Sequence, residues 1–188
     1  MRTHVLLFAL GVSALAGCAS PDGNTVAEKT AYTLSVRDEA LTQLYARDPT
    51  AKDTIAAAPG YVFLSGFAIH PGFFTFANAY GVVQDNATGE LNYVRMTRFG
   101  IGPGLTVKGY YVVATLDSAE VIAALKEGAW HGGVLAEASF RFGDTGGSAA
   151  AENDSTTEGA WLWTHTGVAL ELAAGVGKIY AKDELNGK

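Results

Sequence analysis

The spacing of apolar residues divides the chain into a helical lead and a β-rich body. Between residues 28 and 46, Leu34, Leu41, Leu44 and Tyr45 recur at separations of three, four and seven. That is the period of a helix buried along one side. Asp48 followed by Pro49 has the chemistry of an N-cap with proline in the first turn. It predicts a second short helix through Ile55 that stops at Pro59-Gly60.

Beyond Gly60 the pattern turns to β. Residues 61–67 are an apolar segment that reads as a strand. His70-Pro71-Gly72 predicts a turn, and residues 73–84 a long strand with Phe74, Phe76 and Tyr80 at positions of one parity. Residues 85–89 have hairpin-loop composition and lead into a strand at 91–99. Gly100, Gly102 and Gly104 predict a second turn, followed by a strand over 105–116. Its end, residues 110–116, is almost wholly apolar, which predicts cover on both faces. Asp117 and Glu120 have capping-box spacing and open a helix that stops near Gly128, with Val121, Ile122 and Leu125 as its buried stripe. Residues 131–142 return as a strand, 143–159 have the composition of a mobile loop, and 160–166 and 168–180 close the domain as strands. The fold class is therefore α+β. The expected form is an antiparallel, β-rich barrel or sandwich-like domain with a helical N-terminal lead and one internal helix.

The first residues follow a different pattern. Arg2 and His4 precede a 12-residue apolar run at 5–16. A membrane-spanning helix needs about 20 residues, whereas a basic head with a short apolar run is the signature of a secretory signal peptide. The run ends in Leu15-Ala16-Gly17-Cys18, which resembles the bacterial lipobox. In that motif small residues fit the protease site, and the cysteine thiol accepts a diacylglycerol group. Cys18 is the single cysteine of the chain, so this reading also accounts for its position. The expected organisation is a signal peptide at 1–17, a lipidated tether at 18–27 and a folded domain at 28–188. Several acyl chains would anchor such a protein stably. Ala19, where aspartate would favour retention at the inner membrane, implies an outer-membrane location on the periplasmic face.

Composition narrows the partners. The 188 residues are 48% hydrophobic and 17% charged, against about 25% charged in an ordinary soluble domain. That is too apolar for intrinsic disorder. Removing residues 1–17, which include Arg2, takes the formal charge from −6 to −7. An acidic chain without a basic face argues against nucleic acid. A lone cysteine excludes an internal disulfide framework and a multi-cysteine metal site.

The order of these pieces resembles the SYLF (Ysc84) domain. Ala58-Pro59-Gly60-Tyr61-Val62-Phe63 matches that family's first strand. Gly100-Ile101-Gly102-Pro103-Gly104 matches its glycine-rich segment, with the apolar strand at 110–116 and the helix at 118–125 after it. Trp163-Thr164-His165-Thr166-Gly167 resembles its closing strand pair. The resemblance covers roughly residues 28–186 and implies a lipid-binding domain without catalytic residues. It also exposes a departure. Eukaryotic relatives bind phosphoinositides through a basic N-terminal segment. Here Lys29, Arg37, Arg47 and Lys52 stand against Glu28, Asp38, Glu39, Asp48 and Asp53, so attraction to anionic lipid should be weak there.

Few residues form a chemical constellation. The three glycines precede a β-rich run and not a helix, so they suit a turn or bulge better than a phosphate loop. His70, His131 and His165 lack metal-ligand spacing, and Ser65 lacks a nucleophile elbow. Glu137 and Glu171 lie in apolar strands, where a solvent-facing carboxylate is the default and a buried one would be a site. No catalytic residue, metal or cofactor is expected. The candidate lipid contacts are Arg95, Arg98 and Lys108 around the glycine turn, Trp161 and Trp163 on one strand face, and Phe73 and Phe74 at a strand start. Arg95 and Arg98 differ in parity and should point to opposite faces. The two tryptophans suit either a core or a membrane interface.

The expected function is that of a lipid-anchored periplasmic module contacting phospholipid or another hydrophobic ligand. The main alternative is a structural or envelope-stress lipoprotein acting through protein contacts. A small integral β-barrel and a hydrolase are weaker readings. The first conflicts with the helices and with the broken alternation at 110–116, and the second has no assembled nucleophile and base.

Overall fold

The computed structural model describes residues 20–127, 155–157, 159–171 and 174–187. Helix α1 (Val26–Arg47) begins at a capping box. The Glu28 amide donates to Thr25 Oγ1, and the Thr25 amide donates back to Glu28 Oε2, satisfying two of the amides that a helix start leaves without partners. Helix α2 (Ala51–Ala57) starts two residues later than expected, with Thr50 as its N-cap. Asp48 instead ends α1 and accepts from the Thr50 amide and hydroxyl, so it organises the junction and does not cap the second helix. Helix α3 (Ala119–Lys126) is capped by Ser118 and not by Asp117, with the Val121 amide donating to the serine hydroxyl.

Strands β1 (Gly60–Asp85) and β2 (Leu91–Leu116) form a long antiparallel hairpin, in register from Gly60 opposite Leu116 to Gln84 opposite Leu91. A straight 26-residue strand would extend roughly 85 Å. Yet its two ends meet. The Asn86 amide donates to the Pro59 carbonyl at 2.9 Å, and the Asn86 side chain donates to the carbonyls of Ile55 and Ala58. Midway along each half, Gly81 lies so near the Phe63 carbonyl that a Cβ there would collide with it. The ribbon therefore folds back on itself, and the fold-back falls at Gly72 opposite Gly104, where the register shifts. Both turns expected from the sequence coincide with this bend. They differ from ordinary turns because the ladder between β1 and β2 continues on either side.

Strand β3 (Ser155–Thr157) pairs with β4 (Ala160–Glu171), β4 pairs with the second half of β2, and β5 (Ala174–Ala181) pairs with its first half. A short 3₁₀ turn (Asp183–Leu185) follows. The fold is α+β, as expected; among the described residues the sheet does not close into a barrel. The strand expected at 131–142 and almost all of the loop expected at 143–159 lie outside the described residues.

Two apolar clusters flank the sheet. On one face Tyr61, Phe63, Val82, Tyr111, Val113, Trp161 and Trp163 pack under Ala40 and Leu44 of α1 and Ala51 and Ile55 of α2. On the other, Val62, Leu64, Val83, Val94, Val112 and Leu116 pack with Ile122 and Leu125 of α3. Each fully buried large side chain contributes about 1.5–3 kcal/mol. The near-continuous apolar runs 61–64 and 110–114 are thus buried on both sides. Ala68 and Ala77 extend the second cluster toward the bend, whereas Phe73, Phe74, Phe76, Phe99, Ile101, Leu105 and Val107 belong to neither cluster.

Candidate functional site

The bend is built by a histidine, a glycine and a bulge. His70 is 1% exposed. Its Nε2 lies 2.7 Å from the Gly102 carbonyl, and its Nδ1 lies 2.8 Å from Thr75 Oγ1. A carbonyl can only accept, so Nε2 carries the proton, and in the neutral ring Nδ1 then accepts the threonine hydroxyl. One ring therefore ties the β1 bend to the β2 bend. Gly72 has φ +100° with open space around it, a conformation that side-chain-bearing residues avoid. Between Gly72 and Phe74, Phe73 of β1 faces two residues of β2, Gly102 and Pro103, and none of the three has a register partner, the two-against-one count of a bulge.

The side chains at the bend are arranged in reverse. Small or polar residues point inward, with Ala68, His70, Thr75, Ala77 and Thr106 all buried. Large apolar residues point outward. Phe73 is 63% exposed and Leu105 68%, with Phe74, Phe76, Phe99, Ile101 and Val107 also exposed. Along β2 the odd positions from Thr97 to Val107 are all exposed, so one face of that strand is apolar and open to solvent. Phe74, Phe76 and Phe99 hold one another through ring contacts at 6.0 and 5.3 Å. A contiguous outward apolar patch of this kind marks an interaction surface.

Further aromatic rings meet on the face under α1. Tyr32 of α1 meets Tyr80 at 6.3 Å, and His165 stacks on Tyr111 at 4.2 Å. Burial pushes the hydroxyls of Tyr80 and Tyr111 above the ordinary tyrosine range. Burial against the sheet holds His165 below the ordinary histidine range, with the Glu39 charge opposing it.

Charge is divided along the sheet. β1 from Gly60 to Gln84 and all of β2 contain Arg95, Arg98 and Lys108 and no acidic residue. Lys178 on β5 lies opposite Thr97. Most acidic residues lie on the helices, at Asp85 and Glu90, and at Asp183 and Glu184, but Glu171 of β4 lies opposite Gly104 at the bend. Arg95 and Arg98 point to opposite faces as their parity requires. Arg95 follows Tyr93 of the face under α1, and Arg98 follows Val94 and Met96 of the face under α3. Both Nε atoms are buried without a hydrogen bond among the described residues. Lys108 shares the inward parity of Arg98.

The sequence-based candidates thus separate. Phe73 and Phe74 are exposed at the bend, and Arg95, Arg98 and Lys108 lie beside it. Trp161 and Trp163 are core residues, 4% and 2% exposed. Their indoles donate to Asp48 Oδ2 at 2.9 Å and Gln43 Oε1 at 3.2 Å, and the Arg47 guanidinium lies 5.7 Å over the Trp163 ring. Helix cover removes them from any lipid interface. Cys18, His131 and Glu137 lie outside the described residues, as does the side chain of Glu171. His70, in the expected turn, is a buried structural clamp. Phe76, Phe99, Ile101, Leu105 and Val107 are absent from the sequence-based set. Their signal was the alternation of large apolar residues with Gly and Thr over 99–107.

Among the described residues, no cluster of three or more His, Cys, Asp or Glu side chains could hold a metal, and no helix is long and apolar enough to cross a membrane. Comparison with protein-family models, curated proteins and solved structures gives no match.

Proposed function

We propose that this chain is a lipid-anchored module of the bacterial cell envelope that contacts phospholipid or another hydrophobic ligand through the sheet bend. One observation carries the reading. Seven large apolar side chains, from Phe73 to Val107, face solvent at the bend of the sheet. A side chain in water gains free energy only by leaving it, and an apolar ligand or lipid layer offers that. Phe73 and Phe74 are contact residues, with Arg95, Arg98 and Lys108 at the margin. The lipobox-like Leu15-Ala16-Gly17-Cys18 supports attachment through Cys18, and the resemblance to SYLF domains supports lipid as the ligand class.

Two measurements test this. An alkyne-palmitate label should enter the wild-type protein in cells and be lost in Cys18→Ser. The full chain carrying Cys18→Ala should still sediment with phospholipid vesicles. Failure of the first removes the anchor from the reading; failure of the second with every vesicle composition removes the lipid contact.

A further inference from the structure

We infer that the sheet face between α1 and the bend holds a single anionic amphiphile, with its phosphate or carboxylate at Arg95 and Lys178 and its apolar chain along Phe76, Phe99, Phe74 and Ile101. The inference rests on the ligand-contact reading above and names the class of ligand and the residues that hold its head.

The site follows from the register of three strands. Residues opposite one another share a face, and successive rows on that face lie two residues, about 6.6 Å, apart. Arg95 of β2 lies between Tyr80 of β1 and Tyr180 of β5. The next row toward the bend is Asn78, Thr97 and Lys178. Every side chain in these two rows can form hydrogen bonds, and none is a carboxylate. The row after them pairs Phe76 with Phe99, and the one beyond pairs Phe74 with Ile101. Within one row spacing the face changes from cationic and polar to apolar.

Arg95 lacks an acceptor. Its Nε is buried without a hydrogen bond, and it makes no ion pair among the described residues. Lys178, which shares its face, is exposed and also without an ion pair among them. A buried donor left without an acceptor is destabilising, more so on a charged group, and the planar fork of arginine fits the oxygens of a carboxylate or phosphate. The protein's own carboxylates are engaged elsewhere. Glu184, beyond the end of β5, is held by Lys29 at 3.1 Å and Lys182 at 3.6 Å. The Glu39 charge acts on Tyr111 and His165. Glu171 lies on β4, which pairs with the other half of β2.

The surroundings favour one molecule over a membrane surface. At the head end α1 crosses the face, because its Tyr32 ring meets Tyr80, the neighbour of Arg95, at 6.3 Å. A helix about 10 Å across holds a flat bilayer off that row, whereas a single head group can enter the corner beside it. Asn78, Arg95 and Tyr180 are half-buried there, and Thr97 and Lys178 are open to solvent. At the tail end, Phe74, Phe76, Phe99 and Ile101 are 40% to 55% exposed. From Thr97 to Ile101 the strand advances about 13 Å, which gives one acyl chain a track toward the bend.

The experiment uses the full chain with Cys18→Ala, so no acyl anchor contributes. It is titrated by calorimetry with dodecyl phosphate below its micelle concentration, with uncharged dodecyl maltoside and with inorganic phosphate. The expected result is one dodecyl phosphate per chain, bound about tenfold or more tighter than either of the others. Arg95→Gln should weaken it about tenfold, the loss of a hydrogen bond to a charged group. Lys178→Gln, at an exposed site that leaves the fold intact, should weaken it about three-fold. Phe99→Ser should weaken dodecyl phosphate and leave inorganic phosphate unchanged. Equal binding of dodecyl phosphate and dodecyl maltoside, with neither cation variant changing it, overturns the inference. Inorganic phosphate bound as tightly as dodecyl phosphate makes this a free-phosphate site and overturns the amphiphile. Absence of dodecyl phosphate binding in a chain that sediments with vesicles overturns the inference and leaves the lipid-contact reading standing. Binding that depends on Arg95 and Lys178 in a chain that sediments with no vesicle supports the inference and removes the membrane contact from the reading above.

Discussion

The Trp161 indole donates to Asp48 Oδ2 at 2.9 Å and so joins strand β4 to the junction between α1 and α2. The same carboxylate accepts from the Thr50 hydroxyl and amide. Those bonds, the Thr50 hydroxyl first and the indole second, hold Asp48 below the usual carboxylate range. A depressed pKa in the folded state means that the contribution is complete above the unfolded value, about 3.9, and is lost as pH falls through the folded one. Asp48→Asn should therefore lower the thermal midpoint at neutral pH, and the gap to wild type should close in acid. Trp161→Phe, which removes the donor and leaves a small cavity where the second ring of the indole stood, should cost about 2 kcal/mol at neutral pH, of which only the hydrogen-bond part depends on pH. Thermal melts between pH 7 and pH 2 check both. A gap that does not change with pH would separate the junction from the charge of Asp48.

The fold-back of β1 predicts a contrast between two glycines. A Cβ at Gly81 would strike the Phe63 carbonyl, which is backbone and cannot swing aside. A Cβ at Gly72 meets nothing, but φ is +100°. Gly72→Ala should thus cost about 1–2 kcal/mol, the strain of a positive φ, and retain the fold. Gly81→Ala should cost more than about 4 kcal/mol, in the exceptional range for single substitutions, and yield little soluble protein. Urea unfolding of the first and expression yield of the second are the measurements. Equal, mild effects would mean that the halves of β1 do not lie against each other.

Much of this architecture was legible in the sequence for a physical reason. Helix periods and strand runs depend on burial of one face, and Leu34, Leu41 and Leu44 or the run 110–114 report that burial directly. The positions of the bend were legible from His70-Pro71-Gly72 and Gly100 to Gly104. Its nature was not, because a continuing ladder and a chain reversal use the same glycines. Trp161 and Trp163 were ambiguous because one apolar strand face serves a helix or a membrane equally well. Only the arrival of α1, set by contacts more than a hundred residues apart such as Gln43 with Trp163, decides it. The outward set at 99–107 was missed because large apolar residues ordinarily face inward, and here Gly and Thr take the inner positions.

His70 predicts how much the bend depends on one ring. His70→Ala removes both hydrogen bonds and leaves a cavity at a site that is 1% exposed. The expected loss is about 2–4 kcal/mol, from the deleted side chain and from leaving the Gly102 carbonyl without this donor. Thr75→Val is nearly isosteric and deprives only Nδ1 of its partner, so it should cost about 1–2 kcal/mol. The double variant should lose less than the sum, because both substitutions break the same bond. Denaturant unfolding of the four proteins gives the coupling directly. Strict additivity would mean that the contact between His70 and Thr75 contributes nothing to stability.

The outward face makes the opposite prediction, that large apolar residues can be removed at little cost to the fold. Phe74, Ile101 and Leu105 are 49%, 55% and 68% exposed, so much of their surface stays in water in the folded protein. Surface substitutions of this kind usually shift stability by no more than about 0.5 kcal/mol each. The triple variant Phe74→Ser, Ile101→Ser, Leu105→Ser should therefore melt close to wild type. Transfer of such side chains into an apolar phase contributes about 1.5–3 kcal/mol each when burial is complete. Even half of that for each of the three weakens partitioning by about fifty-fold or more. Vesicle sedimentation of the triple variant in the Cys18→Ala chain, beside its melting curve, separates the two effects. Unchanged partitioning would rule the bend out as the contact surface, and a collapsed melting curve would show that these side chains support the fold.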